Sequence, residues 1–306
     1  MIERLKITSR EEWLGWRKRD VTASQIGALF NCHPYVTPLR LYAEQRGTEF
    51  VVEDNNAMRR GRWLEPAIAK AVEEVRPEWK LEQAAHYLRD SDLRIGATPD
   101  FYIHGDPRGL GILQAKSVAP SVYAREWNNG GEVPLWIILQ ASTEAMLASA
   151  DFIVVAALLV DAHQMDVSIH EMSRSSAAED KIKKAVETFW QNVQLGIEPD
   201  PDFVRDADTV RAMWRAERDK DAEVDLSGNN RIPLLLEQRA ILKEQNKVND
   251  ALLEAIDAEI KFEMKDAAVG VGVPGWRITY KTSFVKSYTV AERTQRVLRV
   301  SDLRGK

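Results

Sequence analysis

The run from Phe152 to Val160, Phe-Ile-Val-Val-Ala-Ala-Leu-Leu-Val, constrains the fold more than any other stretch of this chain. It is far shorter than the roughly 20 apolar residues that a membrane span needs, and it offers no polar face to water. A continuous apolar run of this length reads as a strand buried on both sides. Its neighbours agree. Residues 134–148 read as a helix with proline at its start, and 165–170 alternate as a hairpin partner. Upstream, strand signals fall at 79–81, 86–88, 93–96, 101–103 and 111–118, separated by turn residues. Before those come four helices. One is opened by the capping box Ser9-Arg10-Glu11-Glu12, a second over 25–30 is capped by Ser24, and a third covers 38–45. The fourth covers 55–75, buries Leu64, Ile68, Ala71, Val72 and Val75, and stops at Arg76-Pro77. An amphipathic helix over 178–195 closes the pattern. The expectation is an α/β core ending near Pro201.

The rest has a different texture. Residues 202–230 mix both signs of charge and read as a solvated helix plus linker. Residues 233–267 read as one long helix with a seam of Leu234, Ile241, Val248, Leu252, Ile256 and Ile260, either a coiled-coil arm or a helix laid along a partner. Residues 276–280 and 283–288 read as a small hairpin, and the tail is basic through Arg277, Lys281, Lys286, Arg293, Arg296, Arg299, Arg304 and Lys306, against Glu292 and Asp302. We therefore expect a core domain over 1–201, a charged linker over 202–232 and a helical arm with hairpin and basic tail over 233–306.

Composition excludes some classes. The single cysteine, Cys32, rules out an internal disulfide and suits a reducing cytoplasm. The first six residues are too polar for a signal peptide. A net charge of −5 argues against bulk coating of nucleic acid. It leaves room for a local basic groove; Arg59, Arg60 and Arg62 are equally a solvated helix face or a DNA-tracking patch. Nine tryptophans are enough both for core packing and for stacking on bases. His33, His86, His104, His163 and His170 show no ligand spacing, which argues against zinc. Gly270-Val-Gly-Val-Pro-Gly275 matches the G-x-G-x-x-G string of dinucleotide sites, but a helix precedes it and a strand follows, the reverse of what that mechanism needs. It reads as a flexible turn.

The chemistry concentrates on two adjacent strands. Thr98-Pro99-Asp100 opens one, Gly105-Asp106-Pro107 with Gly109 turns the chain, and the returning strand carries Gln114-Ala115-Lys116. An acid, a second oxygen donor and a lysine so placed are the parts of a site that holds Mg²⁺ and assists an attacking water. Taken alone, Asp100 and Lys116 also fit an ordinary cross-strand ion pair.

With these residues in place, the chain resembles the YqaJ-type viral recombinase, or lambda exonuclease-like, family of the PD-(D/E)XK nuclease superfamily, over roughly residues 8 to 200. The family's Arg followed by Thr-x-Ser matches Arg17 and Thr22-Ala23-Ser24. Its helical Gly-x-x-x-Glu matches Gly61 to Glu65, and its Ser/Thr-Pro-Asp matches Thr98-Pro99-Asp100. Its Leu-Glu-x-Lys is Leu113-Gln114-Ala115-Lys116 here, and its Gln-x-Gln is Gln140 with Ser142 in the second position. The resemblance implies an α/β restriction-endonuclease-like core, a central mixed sheet flanked by helices. It implies a Mg²⁺ (or Mn²⁺) centre held by Asp100, Glu65, the Gln114 side-chain oxygen and the Ala115 carbonyl, with Lys116 and Gln140 completing the catalytic set. Arg17, Ser24 and Thr98 would grip a terminal 5′ phosphate. The implied activity is a 5′ to 3′ deoxyribonuclease on duplex ends that leaves 3′ overhangs. The implied setting is phage or prophage recombination in a bacterial cytoplasm, as a ring-like oligomer (a trimer by resemblance) beside a single-strand annealing protein.

Gln114 departs from the family's Glu. It keeps the shape and one oxygen but removes a full charge, so metal binding weakens. Three readings stay open: a natural residue with activity retained, an inactivating substitution made to trap a substrate, or a non-cutting DNA-end-binding scaffold.

Overall fold

Phe152–Val160 is a strand, and its side chains divide by parity. Phe152, Val154, Ala156 and Leu158 enter one buried cluster, while Ile153, Val155, Ala157 and Leu159 enter another on the opposite face. The run is unbroken because both faces are covered. The computed structural model describes residues 1–50, 54–161, 165–217, 219, 223–287 and 296–300. These divide into two units, Met1–Trp214 and Arg215–Lys306.

In chain order the first unit holds β1 (Ile2–Lys6), α1 (Arg10–Arg17), β2 (Val21–Thr22), α2 (Ile26–Leu29), α3 (Pro38–Gln45), α4 (Asn56–Val75), β3 (Lys80–Gln83), β4 (His86–Asp90) and β5 (Ile95–Ala97). It continues with β6 (Phe101–Asp106), β7 (Gly109–Val118), α5 (Pro120–Glu126), α6 (Leu135–Ala148), β8 (Phe152–Val160), β9 (Met165–Ser173), α7 (Ser176–Leu195) and α8 (Ala207–Met213). One sheet has the order β3-β6-β7-β8-β9, and a smaller one β1-β4-β5-β2. In the larger sheet only β7 and β8 run parallel, joined by the α6 crossover. Helix α4 lays Ile68, Ala69 and Val72 on one face of it. Helix α6 covers the other face and also meets β4 and β5 of the small sheet, so it lies between the two sheets. This is the mixed α/β core that the PD-(D/E)XK resemblance implies.

Several local expectations need correcting. Val75 is 56% exposed, because the α4 stripe has rotated away from the sheet by its last turn. Thr22, not Ser24, caps the turn before α2: the Thr22 N–H donates to Gln25 Oε1 at 3.2 Å, while the Ser24 hydroxyl pairs with the Thr22 hydroxyl at 3.1 Å. Strand β1 and helix α5 carried no clear period and were not expected. Residues 202–214, expected in the linker, fold against the first unit: the Thr37 hydroxyl donates to buried Asp206, and Arg205 donates to the His33 carbonyl. Trp79, Trp127 and Trp190 are buried, so much of the tryptophan content is core.

The second unit holds α9 (Arg231–Met264), β10 (Val269–Gly270) and β11 (Ile278–Thr279). The seam residues Ile241, Val248, Leu252 and Ile256 are all more than half exposed. The hairpin pairs 269–270 with 278–279, not 276–280 with 283–288. Its loop is the glycine-rich string, with Gly272 at φ 90° and Gly275 at φ 77°, a conformation glycine adopts without strain. Tyr288, His163 and, in the basic tail, Glu292, Arg293, Asp302, Arg304 and Lys306 lie outside the described residues.

His33 is a core histidine. Its Nδ1 accepts the Tyr35 and Val36 N–H groups at 3.1 and 2.8 Å, and its ring meets Trp136 edge-on. Burial, with Arg205 and Lys116 nearby, lowers its pKa to about 4. The folded state therefore holds His33 neutral where an unfolded chain would protonate it. That contribution is complete above the unfolded value of about 6.5 and is lost as pH falls toward 4. Urea unfolding from pH 7 to 4 should show wild type losing more stability than His33→Gln; equal slopes would refute the assignment.

Candidate active site

The β6–β7 pairing sets Phe101 against Leu113. Carrying that antiparallel register one residue further sets Asp100 against Gln114. Asp100 stands where the chain crosses from β5 of the small sheet to β6 of the large one. On β7, Ile112 belongs to the α6-side core and Leu113 to the α4-side core. Strand alternation then turns Gln114 and Lys116 toward α6. Gln140 comes down from α6 to meet them.

A directed chain of hydrogen bonds joins these groups. The Lys116 ammonium donates to Gln140 Oε1 at 3.0 Å. Gln140 Nε2 donates to Gln114 Oε1 at 2.7 Å and to Glu144 Oε1 at 2.9 Å. Gln114 Nε2 then donates to Asp100 Oδ2 and lies 3.5 Å from the Ala115 carbonyl oxygen. The Ala115 N–H also donates to Asp100 Oδ2, at 2.8 Å. The polarity is forced. An ammonium at one end demands the Gln140 oxygen, and a carboxylate at the other demands the Gln114 nitrogen. The Gln114 oxygen, expected to face a metal, is turned to Gln140 instead. Its amide N–H₂ lies between Asp100 and the Ala115 carbonyl, the two oxygens expected to hold the cation.

The pocket resists charge. Gln114 is 3%, Gln140 8% and Glu144 1% exposed. Burial raises the Asp100 pKa, opposed by Lys116 and by the Ala115 and Gln114 hydrogen bonds. Burial lowers that of Lys116, opposed by Asp100, Glu144 and Glu65. Glu144 is raised well above the carboxylate range by burial and by Asp100. Glu65, half-buried on α4, is raised to about 7 by burial and by Asp100, with Lys116 opposing. Carboxylates held above their ordinary pKa are relieved by an incoming cation.

Beside this group lies a second one. Arg17, at the end of α1, donates to Ser24 Oγ at 3.1 Å and stacks over the Trp13 ring at 4.6 Å. The Trp13 indole N–H donates to Thr98 Oγ1 at 3.0 Å. Trp13 thus ties Arg17, Ser24 and Thr98 into one cluster, two residues along the chain from Asp100. Burial lowers the Arg17 pKa, opposed by Tyr87 and Glu144. Trp13 and Glu144 were not singled out from sequence. Glu144 had a signal: it lies one turn from Gln140 in a helix whose remaining polar residues are only Ser142 and Thr143, making it the helix's single charged residue. Of the arginine patch, Arg62 is paired with Asp54 and Arg60 reaches the Ser117 carbonyl.

Among the described residues, no three Asp, Glu, His or Cys side chains stand close enough to hold a metal ion by themselves. Mg²⁺ usually takes one or two carboxylates and keeps several waters. Asp100, Glu65 and the Ala115 carbonyl are oxygens of the kind Mg²⁺ takes, and the Gln114 amide stands between two of them.

This arrangement on a mixed sheet is the PD-(D/E)XK fold. The structure of LHK-Exo in complex with dAMP, an alkaline exonuclease from Laribacter hongkongensis, superposes with a TM-score of 0.50 at 20% identity, over 65% of this chain and 99% of that one. A family model described as the YqaJ-like viral recombinase domain matches residues 12–157. "Uncharacterized protein YqaJ" of Bacillus subtilis (strain 168) is 27% identical over 266 residues, 86% of this chain and 80% of that protein.

Gln140→Leu should leave Gln114 Oε1 and the Lys116 ammonium without their shared partner. Each orphaned group costs about 1–3 kcal/mol. The chemical-denaturation midpoint should fall accordingly, and an unchanged midpoint would show that the relay carries no stability.

Proposed function

We propose that the chain is a metal-dependent deoxyribonuclease that acts on duplex DNA ends. The observation that supports it best is the single hydrogen-bonded relay joining Asp100, Gln114, Gln140 and Lys116 beside the Arg17–Ser24–Thr98 cluster. Asp100, the Ala115 carbonyl and Glu65 would hold Mg²⁺ or Mn²⁺, with the Gln114 oxygen joining them after its amide rotates. A bound divalent ion supplies charge stabilisation at the scissile phosphate and an acidified water. Lys116, with its pKa lowered by burial, orients that water or takes a proton from it. Gln140 fixes where the Lys116 amine points. The Arg17 guanidinium forks onto a terminal phosphate that Ser24 and Thr98 also contact. Such a grip starts the enzyme at 5′ ends and leaves 3′ overhangs, the substrate of a single-strand annealing protein. By the same family resemblance the working form is a ring-like oligomer, a trimer, in a bacterial cytoplasm.

One observation favours a second reading. The Gln114 N–H₂ takes the place of a cation between Asp100 and the Ala115 carbonyl, which suits a DNA-end-binding scaffold that does not cut. End-labelled duplex with Mg²⁺ or Mn²⁺ separates the two. The nuclease reading expects cutting that favours 5′-phosphorylated over 5′-hydroxyl ends. It expects loss of more than about 100-fold in rate on Asp100→Asn, since even indirect partners of a metal cost 10- to 100-fold. Arg17→Ala should abolish the phosphate preference. No cutting by either this chain or its Gln114→Glu form would leave the scaffold reading standing.

A further inference from the structure

Glu144 is the most anomalous residue in the first unit. It is 1% exposed, yet its Oε2 makes no hydrogen bond. Leaving an oxygen of a buried carboxyl group without a hydrogen-bond partner is costly. Its neighbours on α6, Ala141, Ala145, Leu147 and Ala148, are apolar and buried. A leucine or methionine would serve packing there without that cost, so packing does not explain the acid. Its other oxygen holds Gln140, the residue that holds both Lys116 and Gln114.

We infer that Glu144 is a positioning residue that gives back to the cation pocket the negative charge that Gln114 lacks. The inference rests on reading this pocket as a divalent-cation nuclease centre, and it concerns which residue supplies its charge.

The geometry supports it in two ways. Gln114 Oε1 and Glu144 Oε1 share one donor, Gln140 Nε2, at 2.7 and 2.9 Å. The two oxygens therefore stand on either side of a single amide group. Asp100, Lys116 and Arg17 all act on the Glu144 carboxyl, and it in turn acts on Lys116 and Arg17. Without it, the acids Asp100 and Glu65 are matched one for one by the bases Lys116 and Arg17; with it, three acids face two bases. Burial favours the protonated Glu144, so its negative charge develops, with a proton released to solvent, as a cation enters. The acid has moved from the strand to the helix one amide away.

The test is Mn²⁺ affinity of the full chain by titration calorimetry, without DNA. Four variants are compared with wild type: Glu144→Gln, Glu144→Met, Gln114→Glu, and the transposed pair Gln114→Glu with Glu144→Gln. Glu144→Gln should weaken Mn²⁺ binding by about 10- to 100-fold, the usual effect of removing a residue behind the ligands. The transposed pair should bind within about threefold of wild type, which a purely structural Glu144 would not predict. Glu144→Met replaces a buried, half-satisfied carboxyl by an apolar group of similar size, so its melting temperature should hold or rise while Mn²⁺ affinity falls. Wild-type affinity in both Glu144 variants, beside binding by wild type, would overturn this inference alone. Absence of Mn²⁺ binding in wild type and in Gln114→Glu would overturn the nuclease reading and this inference with it.

Discussion

The functional half of this molecule depends on one constraint: two side-chain amides must keep an ammonium and a carboxylate apart while linking them. Lys116 and Asp100 do not touch. Gln140 and Gln114 stand between them, each oriented by the charge on its far side. In a low-dielectric pocket this arrangement is stiff, because reversing one amide sets like poles against each other all along the line. The strands supply the register, the crossover helix supplies Gln140, and the charges fix the direction.

That line also shows what the Gln114 difference means physically. A glutamate at 114 would repel Asp100 and call for a cation between them. The amide instead bonds to Asp100 and closes the gap. A metal entering this pocket must therefore compete with a hydrogen bond as well as with desolvation. The extra acid on α6 bears on the same balance from the other side.

Much of this was legible in the sequence. The run 152–160 required covered faces, and the two-cluster parity of β8 is what it required. The Thr98-Pro99-Asp100 and Gln114-Ala115-Lys116 segments were readable because β pairing brings near-neighbours in sequence together. What could not be read depended on contacts across long separations. Strand β1 pairs with β4, some 85 residues on, and has no strong alternation of its own. The Trp13–Thr98 bond is equally distant, so nothing at Trp13 marks it apart from the chain's other tryptophans. The direction of the Gln114 amide is set by Asp100 on one side and, through Gln140 of α6, by Lys116 on the other, so it shows only once the helix is packed on the strand. In the second unit the long period of α9 was plain, but the hairpin was misplaced because its strands are two residues each, too short to show alternation.

Thr98-Pro99-Asp100 carries the chain from β5 of the small sheet to β6 of the large one. The Arg17 cluster hangs from the first side and the Asp100–Lys116 relay from the second. Pro99 is buried, and its ring locks the backbone φ. The passage is thus a short, rigid spacer between the Arg17 cluster and the Asp100–Lys116 relay. A spacer of fixed length measures: the separation of the two groups is decided by three residues of backbone.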